Sequence, residues 1–192
     1  MIDLDPEFDN FLACWHQLPR RAHSILPCKS DITPFSFGEV LKHVGFAEML
    51  APYNLKIFFA GSGFERNAGF EVTGKNYYDI LPKAFQEPMA AFHKYLLGTP
   101  CGAYIADVIS TTSGNQYIHH NVQMPVCDDT GQVKYLLAYG LDRKPYDDKG
   151  TRTDSSHAPS NIKDMFYIDL GAGAPSAYVT DFKFHRSSLP LT

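Results

Sequence analysis

The fold is decided by residues 56–81, which read KIFFAGSGFERNAGFEVTGKNYYDIL. The stretch begins as an apolar run of residues that favour β-strands, and it is then interrupted by Gly61, Gly63 and Gly69. Because the apolar side chains are scattered among glycines, one regular helix cannot bury them on a single face. The pattern predicts a strand that leads into turn-rich connections, with aromatic side chains that line or cap a pocket beside a sheet.

The composition limits the class of protein. The chain has 192 residues, of which 44% are hydrophobic and 14% aromatic, which predicts one sizeable core in one domain plus an extension. The formal net charge is -4, and no block of like charge occurs, so nucleic acid is not an expected partner. The N-terminus is acidic, and no run of about 18 apolar residues follows, so we expect a cytoplasmic protein without a membrane partner.

The cysteines are widely spaced along the chain. Cys14, Cys28, Cys101 and Cys127 form no CxxC pair and have no zinc-finger spacing to histidine. Two disulfide bridges are one interpretation, and buried thiols are the other. A chain with this much core does not need bridges, so the sequence favours reduced, mostly buried thiols.

An N-terminal helix is predicted at residues 5–18, before Pro19. Its apolar residues recur at helical spacing and form one stripe, which consists of Phe8, Phe11, Leu12, Trp15 and Leu18. The stripe has two interpretations: the helix covers its own domain, or it forms a dimer contact.

A second, short helix is predicted between a cap at Asp31 or Thr33 and its end at Gly45. Its buried face would consist of Phe37, Val40, Leu41 and Val44. A brief first strand at residues 46–50 and a second strand at residues 55–60 follow.

A longer helix is predicted at residues 83–97, before Gly98. Pro88 falls inside it, so the helix either starts there or has an irregular first turn. His93 lies near the apolar face of this helix, and a single histidine in such a place is typical of the surface or the edge of the core.

Three strands at residues 101–110, 116–126 and 132–141 then predict an antiparallel meander, with turns at residues 113–115 and 128–131. In the middle strand, one face holds Ile118, His120, Val122 and Met124, and the other holds Tyr117, His119, Asn121 and Gln123. We expect the first set to face the core and the pocket.

This prediction places His120 inside the protein. A histidine among apolar neighbours costs free energy unless its ring nitrogens are paired. Three interpretations stay open at this point: a core histidine with a satisfied hydrogen bond, a contact to a ligand, or a ligand of a metal or haem.

The predicted fold class is α+β, with an antiparallel sheet of about five strands covered by short helices, an N-terminal helix and a C-terminal extension. Over about residues 8–143 the chain resembles the stand-alone bacterial PAS domain family. The resemblance is carried by four patches in order: LPCKSDITP at 26–34, AGS at 60–62, GFEVTGKNYYDIL at 69–81, and MPVCDDTGQVKYLLAYG at 124–140.

The resemblance implies a sensory or protein-interaction module. Such a module would bind a small molecule between sheet and helices, and it would signal through self-association or a partner. The family often has an arginine where this chain has Phe58, which implies a more apolar ligand. The expected pocket residues, for which ordinary core packing is the alternative, are Phe58, Phe64, Tyr78, Phe92, Tyr104, Ile118, His120 and Val122.

The resemblance leaves the cofactor unknown. Flavin photosensors of the PAS superfamily carry a GxNCRFLQ motif around a reactive cysteine, and no such motif occurs here, so a flavin adduct is not expected. Haem-binding relatives use an axial histidine on the long helix, where this chain has His93, and His120 is the second candidate. No metal site and no catalytic residue are predicted.

An enzyme that uses the same pocket, isomerase-like or hydrolase-like, is the alternative function. The chemically capable residues are Cys101, His119, Asp107 and Glu71, but the sequence has no nucleophile elbow, phosphate-binding loop or HExxH helix. A non-enzymatic module is therefore favoured.

Three regions are predicted along the chain. Residues 1–143 form the PAS-like domain with its N-terminal helical segment, residues 144–161 form a flexible linker, and residues 162–192 form an extension. We expect the extension to dock on the outer face of the sheet, in the same chain or across a homodimer. The expected partners are a small-molecule ligand, a second copy of the chain and a downstream signalling protein.

Overall fold

A computed structural model describes residues 4–110, 115–146, 162–175 and 184–186. Within them a single sheet has the strand order β2-β1-β5-β4-β3-β7-β8, and β6 pairs with β4. All neighbouring strands are antiparallel except β7 and β8. The strands are β1 (Val44–Ala51), β2 (Asn54–Ala60), β3 (Gly102–Ser110), β4 (Gln116–Cys127), β5 (Val133–Gly140), β6 (Lys144–Pro145), β7 (Ile162–Ile168) and β8 (Phe184–Arg186).

Helices precede β1 and connect β2 to β3. The α-helices are α1 (Asp9–Gln17), α2 (Pro34–Phe37), α3 (Ser62–Ala68), α4 (Tyr77–Ile80) and α5 (Lys83–Gly98). Short 3-10 helices lie at Pro6–Phe8, Lys29–Asp31 and Gly38–His43. Two leading strands, a helical crossover and a closing three-stranded meander therefore build the α+β, PAS-like fold that the sequence predicted. In the described part of the chain, none of the helices has the length and apolar character needed to cross a membrane.

Both faces of the sheet are covered by the chain itself. Residues 4–43, the cover segment, pack α1 on one face, which we call the cover face. There the ring of Phe11 stacks on Tyr139 with 4.9 Å between ring centroids. Of the two interpretations of the N-terminal stripe, the structure shows a helix that covers its own domain. Helices α3, α4 and α5 lie on the opposite face, which we call the cavity face.

The second helix is shorter than predicted. α2 ends at Phe37 because Gly38 has a φ of +48°, a conformation that favours glycine and interrupts the helix. Val44 and Gly45, expected on and after the helix, are the first residues of β1. Thr33 caps α2 through a capping box with Ser36, so the predicted cap is confirmed at Thr33.

The long helix begins before its proline. α5 starts at Lys83 and continues through Pro88 to Gly98, so a start at Pro88 is wrong. Proline lacks the backbone N–H that would donate to the carbonyl four residues earlier, and the helix tolerates this loss within its first two turns.

The C-terminal extension joins the edge of the sheet. β7 pairs with β3 from Gly102 to Asp107, so the expected docking on the outer face is wrong for this strand. Side-by-side pairing satisfies the backbone groups of β3 that would otherwise form an open edge. Of the predicted linker, Lys144–Pro145 forms β6, and residues 147–161 lie outside the described residues, as do residues 111–114 of the predicted turn.

The four cysteines are free thiols, as predicted. Cys28, Cys101 and Cys127 are buried, and Cys14 is half-buried.

Candidate functional site

A cavity of about 440 Å³ lies between the cavity face of the sheet and helices α3 to α5. On the sheet side it is bounded by three small residues of β1 and β5, Gly45, Ala47 and Ala138, and the Phe64 ring of α3 packs directly over Gly45. Its apolar walls include Leu55, Ile57, Phe64, Val72, Tyr77, Phe85, Met89, Ile105, Leu136 and Ile162.

One wall of the cavity is polar. His119, Asn121 and Gln123 alternate along β4, so their side chains share the cavity face. Gln123 Nε2 donates to Asn121 Oδ1 at 3.4 Å. Asp107, opposite His119 in β3, places Oδ1 3.2 Å from His119 Nδ1. Together, these four side chains form a polar strip across two strands.

The strip retains hydrogen-bonding capacity. Gln123 Oε1 and His119 Nε2 are both buried and have no partner at hydrogen-bond distance among the described residues. The His119 ring lies against Gly140, where a Cβ would be 2.6 Å from Nε2. A larger residue at that position would therefore displace the imidazole ring from the wall.

His93 faces the strip from the helical side. It was expected at the surface or the edge of the core, but it is only 1% exposed and lines the cavity, so that expectation is wrong. Burial lowers its pKa from 6.5 to about 4, so the ring is neutral near neutral pH. The Tyr78 hydroxyl lies 2.8 Å from His93 Nδ1, so the two groups form a hydrogen bond whose donor depends on which ring nitrogen carries the proton.

The described lining has little charge. It contains no lysine or arginine, and its one carboxylate, Asp107, is held by His119. Asn67 lies at one end and donates from Nδ2 to the Leu141 carbonyl at 2.8 Å. The cavity is therefore suited to an uncharged molecule, since an unpaired buried charge costs much free energy.

The structure brings three of the eight predicted pocket residues to the cavity side. Phe64 lines the cavity directly. Tyr78 is buried and contacts it through the hydroxyl that holds His93. Phe92 is fully buried behind the lining, where its ring stacks on Tyr167 with 5.5 Å between centroids.

The other five residues lie on the cover face, so their predicted direction is wrong. They are Phe58, Tyr104, Ile118, His120 and Val122. The predicted alternation in β4 is correct, but the more apolar set packs under the cover segment and the more polar set faces the cavity. Since both faces are buried, polarity alone could not identify the face toward the cavity.

Two of these five carried specific hypotheses. The Phe58 ring packs on Phe46, with 4.6 Å between centroids, so it does not set the polarity of the cavity. His120 Nδ1 lies 2.6 Å from the Tyr104 hydroxyl. Of the three interpretations of His120, the structure therefore shows a core histidine with a satisfied hydrogen bond. Burial lowers the pKa of His120.

The candidate catalytic residues come together only in part. His119 and Asp107 meet in the cavity wall. Cys101 is buried outside the cavity lining, where desolvation raises its pKa to about 12, and Glu71 is exposed. Among the described residues, no group of three or more histidine, cysteine or acidic side chains could hold a metal ion.

Sequence reasoning missed the polar strip and the small residues beneath it. A sequence signal existed, because His119, Asn121 and Gln123 interrupt a strand that the meander places centrally. Their polarity suggested a more solvated face.

A scan against protein-family models finds no match to this sequence, and a search of curated proteins finds none either. Solved structures with partial similarity include an RNA-binding light-oxygen-voltage receptor, with 19% identity over 52% of this chain and 29% of that chain, at a TM-score of 0.42. The Vibrio cholerae VqmA dimer matches with 15% identity over 51% of this chain and 45% of that chain, at a TM-score of 0.41. The photo-excited blue-light photoreceptor Vivid matches with 17% identity over 52% of this chain and 76% of that chain, at a TM-score of 0.40.

This chain thus spans less than half the length of the receptor and of VqmA. The fold itself is defined by the order β2-β1-β5-β4-β3 and by the helical connection from β2 to β3. By that strand order and that crossover, this chain has a PAS-like fold.

Proposed function

We propose that this chain is a sensory or protein-interaction module that binds an uncharged small molecule in the cavity. The observation that carries the proposal is a cavity of about 440 Å³ with apolar walls and one polar strip. Ligand sites in proteins typically have about this volume and this combination of surfaces.

The lining suggests the chemistry of the ligand. Phe64, Tyr77 and Phe85 offer aromatic surface that would pack against a flat or apolar part of the ligand. Asn121 and Gln123 offer carboxamides that would form hydrogen bonds with polar groups of the ligand, and Gln123 Oε1 would accept from a ligand N–H or O–H. The described lining contains no cysteine, so the proposal includes no covalent flavin adduct.

The output of the module would pass through the C-terminal strand. Ile162, the first residue of β7, lines the cavity, and the same strand pairs with β3. An occupant would therefore contact the strand that connects the sheet to the rest of the extension. Signalling would proceed from there by self-association or through a partner protein, and the net charge of -4 disfavours nucleic acid in that role.

Native mass spectrometry of gently purified protein tests the proposal. We expect a species heavier than the chain by one small molecule, which dissociates on denaturation. Ala138→Phe would fill the cavity, because Ala138 pairs with Gly45 and Gln123 on the cavity face, and it should remove that species. His120→Phe is the matched control and should retain it, since His120 lies on the cover face.

If Ala138→Phe retains the bound molecule, the cavity is not the site. The proposal also fails if the protein carries no molecule and shows no saturable binding of any member of a library of uncharged compounds.

The pair of His119 and Asp107 favours a second candidate, an enzyme that transfers a proton within the cavity. The carboxylate lies near His119 Nδ1, which would leave Nε2 as the base. Turnover of a bound compound, abolished in His119→Gln, would support this candidate. Saturable binding without turnover would exclude it.

A further inference from the structure

Two buried thiols lie side by side where the cover segment meets the sheet. Cys28 and Cys127 are 99 positions apart in the sequence, and their Sγ atoms are 3.5 Å apart. Their exposed fractions are 2% and 0%. Neither thiol lines the cavity, so a role for this pair does not depend on the proposed function.

The backbone holds the two residues in register. Cys28 and Cys127 form an isolated parallel β-bridge, and the Cys127 N–H donates to the Pro27 carbonyl at 3.1 Å. Adjacent strands are about 4.8 Å apart, which falls within the Cα separations of about 4.4–6.8 Å that a disulfide spans. The two sulfurs therefore need side-chain rotation, but little backbone movement, to reach bonding distance.

We propose that Cys28 and Cys127 are a redox modification site, at which a reversible disulfide fastens the cover segment to the end of β4. Of the four cysteines, the 3.5 Å contact joins Cys28 and Cys127. The bond would fix the part of the chain that buries the cover face of the sheet.

The oxidant we propose is a low-molecular-weight disulfide such as oxidised glutathione. One cysteine, deprotonated, attacks a sulfur of the oxidant, so that the old sulfur–sulfur bond breaks and one glutathione thiolate leaves. The second cysteine loses its proton and attacks the protein sulfur of the mixed disulfide, which releases the second glutathione. Two protein thiols are thereby oxidised to one disulfide, and one glutathione disulfide is reduced to two thiols.

Oxidation requires the cover segment to open. Burial, together with the neighbouring Cys28 thiol, raises the pKa of Cys127, so the closed protein holds an unreactive thiol. Local opening at residues 26–28 would expose both sulfurs together, and reclosing would bring them into register. The disulfide would therefore form only when the cover segment opens in an oxidising environment.

The test uses the full chain with Cys14→Ser and Cys101→Ser, which leaves only the pair. Incubation with oxidised glutathione should remove two hydrogens from the intact mass, and peptide mapping without reductant should join Cys28 to Cys127. The unfolded chain would carry a closed loop of about 100 residues, so the melting temperature should rise on the order of 10 °C and return when the disulfide is reduced.

The same protein with Cys28→Ser is the control and should form only a mixed disulfide with glutathione. Peptide mapping of the oxidised four-cysteine protein gives a second measurement, in which Cys28 and Cys127 should be joined to each other and any bound glutathione should be confined to Cys14 and Cys101. The proposal is overturned if both thiols keep glutathione, if the bond forms between two chains, or if the melting temperature does not rise.

Discussion

Replacing His93 by glutamine should make the protein less sensitive to acid. His93 is buried on α5, and its pKa is lowered from 6.5 to about 4 because burial disfavours the charged ring. The unfolded chain therefore takes up a proton before the folded protein does. The stability that the neutral histidine contributes is fully present above its unfolded pKa, and it is lost as the pH falls toward the folded pKa.

The size of the effect follows from the two pKa values. Between about pH 7.5 and pH 4.5, a histidine with pKa values of 6.5 unfolded and about 4 folded removes about 2.5 kcal/mol of unfolding free energy. Glutamine does not titrate, and its carboxamide can either donate to or accept from the Tyr78 hydroxyl, which lies 2.8 Å from His93 Nδ1 in the native protein. The variant should therefore lose about 2.5 kcal/mol less than the native protein over this interval.

The assay is urea unfolding of both proteins at the two pH values. Other groups titrate in the same range, but they do so in both proteins, and their contribution cancels in the difference. His120→Gln is the matched control: burial also lowers the pKa of half-buried His120, and we expect a smaller change. Equal acid sensitivity in native protein and His93→Gln would refute the reasoning.

Three further predictions concern the parts of the fold that hold the site. Phe11→Ala should cost about 3–5 kcal/mol in urea unfolding, because Phe11 is fully buried between α1 of the cover segment and the sheet; a loss below about 1 kcal/mol would contradict the packing. Asn76→Ala should cost about 2 kcal/mol, because Asn76 Oδ1 accepts the Leu55 N–H at 3.0 Å, and an unchanged unfolding midpoint would count against this role. Truncation after Tyr146 removes β7 and should increase binding of a hydrophobic dye; equal dye binding and solubility would show that β7 does not protect β3.

The local elements were predictable because they depend on short-range patterns. The N-terminal helix follows from the spacing of Phe8, Phe11 and Trp15, and the meander follows from alternation and turn residues. The second helix was predicted too long, because the backbone conformation of Gly38 ends the helix although the apolar residues of the sequence continue at helical spacing. The PAS-like fold was reached from the order of these elements.

The candidate site was predicted less well, and β4 shows why. Its two residue sets were separated correctly, yet His119, Asn121 and Gln123 line the cavity where Ile118, His120 and Val122 were expected. A strand with one buried face reveals that face by its apolar residues, but this strand is covered on both sides.

The burial of His93 was not predicted for the same reason. A helix position next to the apolar stripe can lie at the edge of the core or inside it, depending on what packs above it. Here Tyr78 and the β4 strip cover the ring, and both come from distant parts of the sequence. The contact of Cys28 with Cys127 could likewise not be predicted from the sequence, since 99 positions separate the two thiols.

The sequence by itself determined the kinds of element, their order and the α+β class, because helix and strand periodicities, glycines and prolines act over a few residues. Tertiary structure alone decided which face of β4 meets the helices, that β7 extends the sheet at β3, and that two thiols and a buried histidine acquire specific neighbours. These outcomes depend on contacts between residues far apart in the chain. Residues 56–81 encode the strand and its crossover, but the cavity beside them is completed by residues of β4 and β5 that lie far along the chain, such as Gln123 and Ala138.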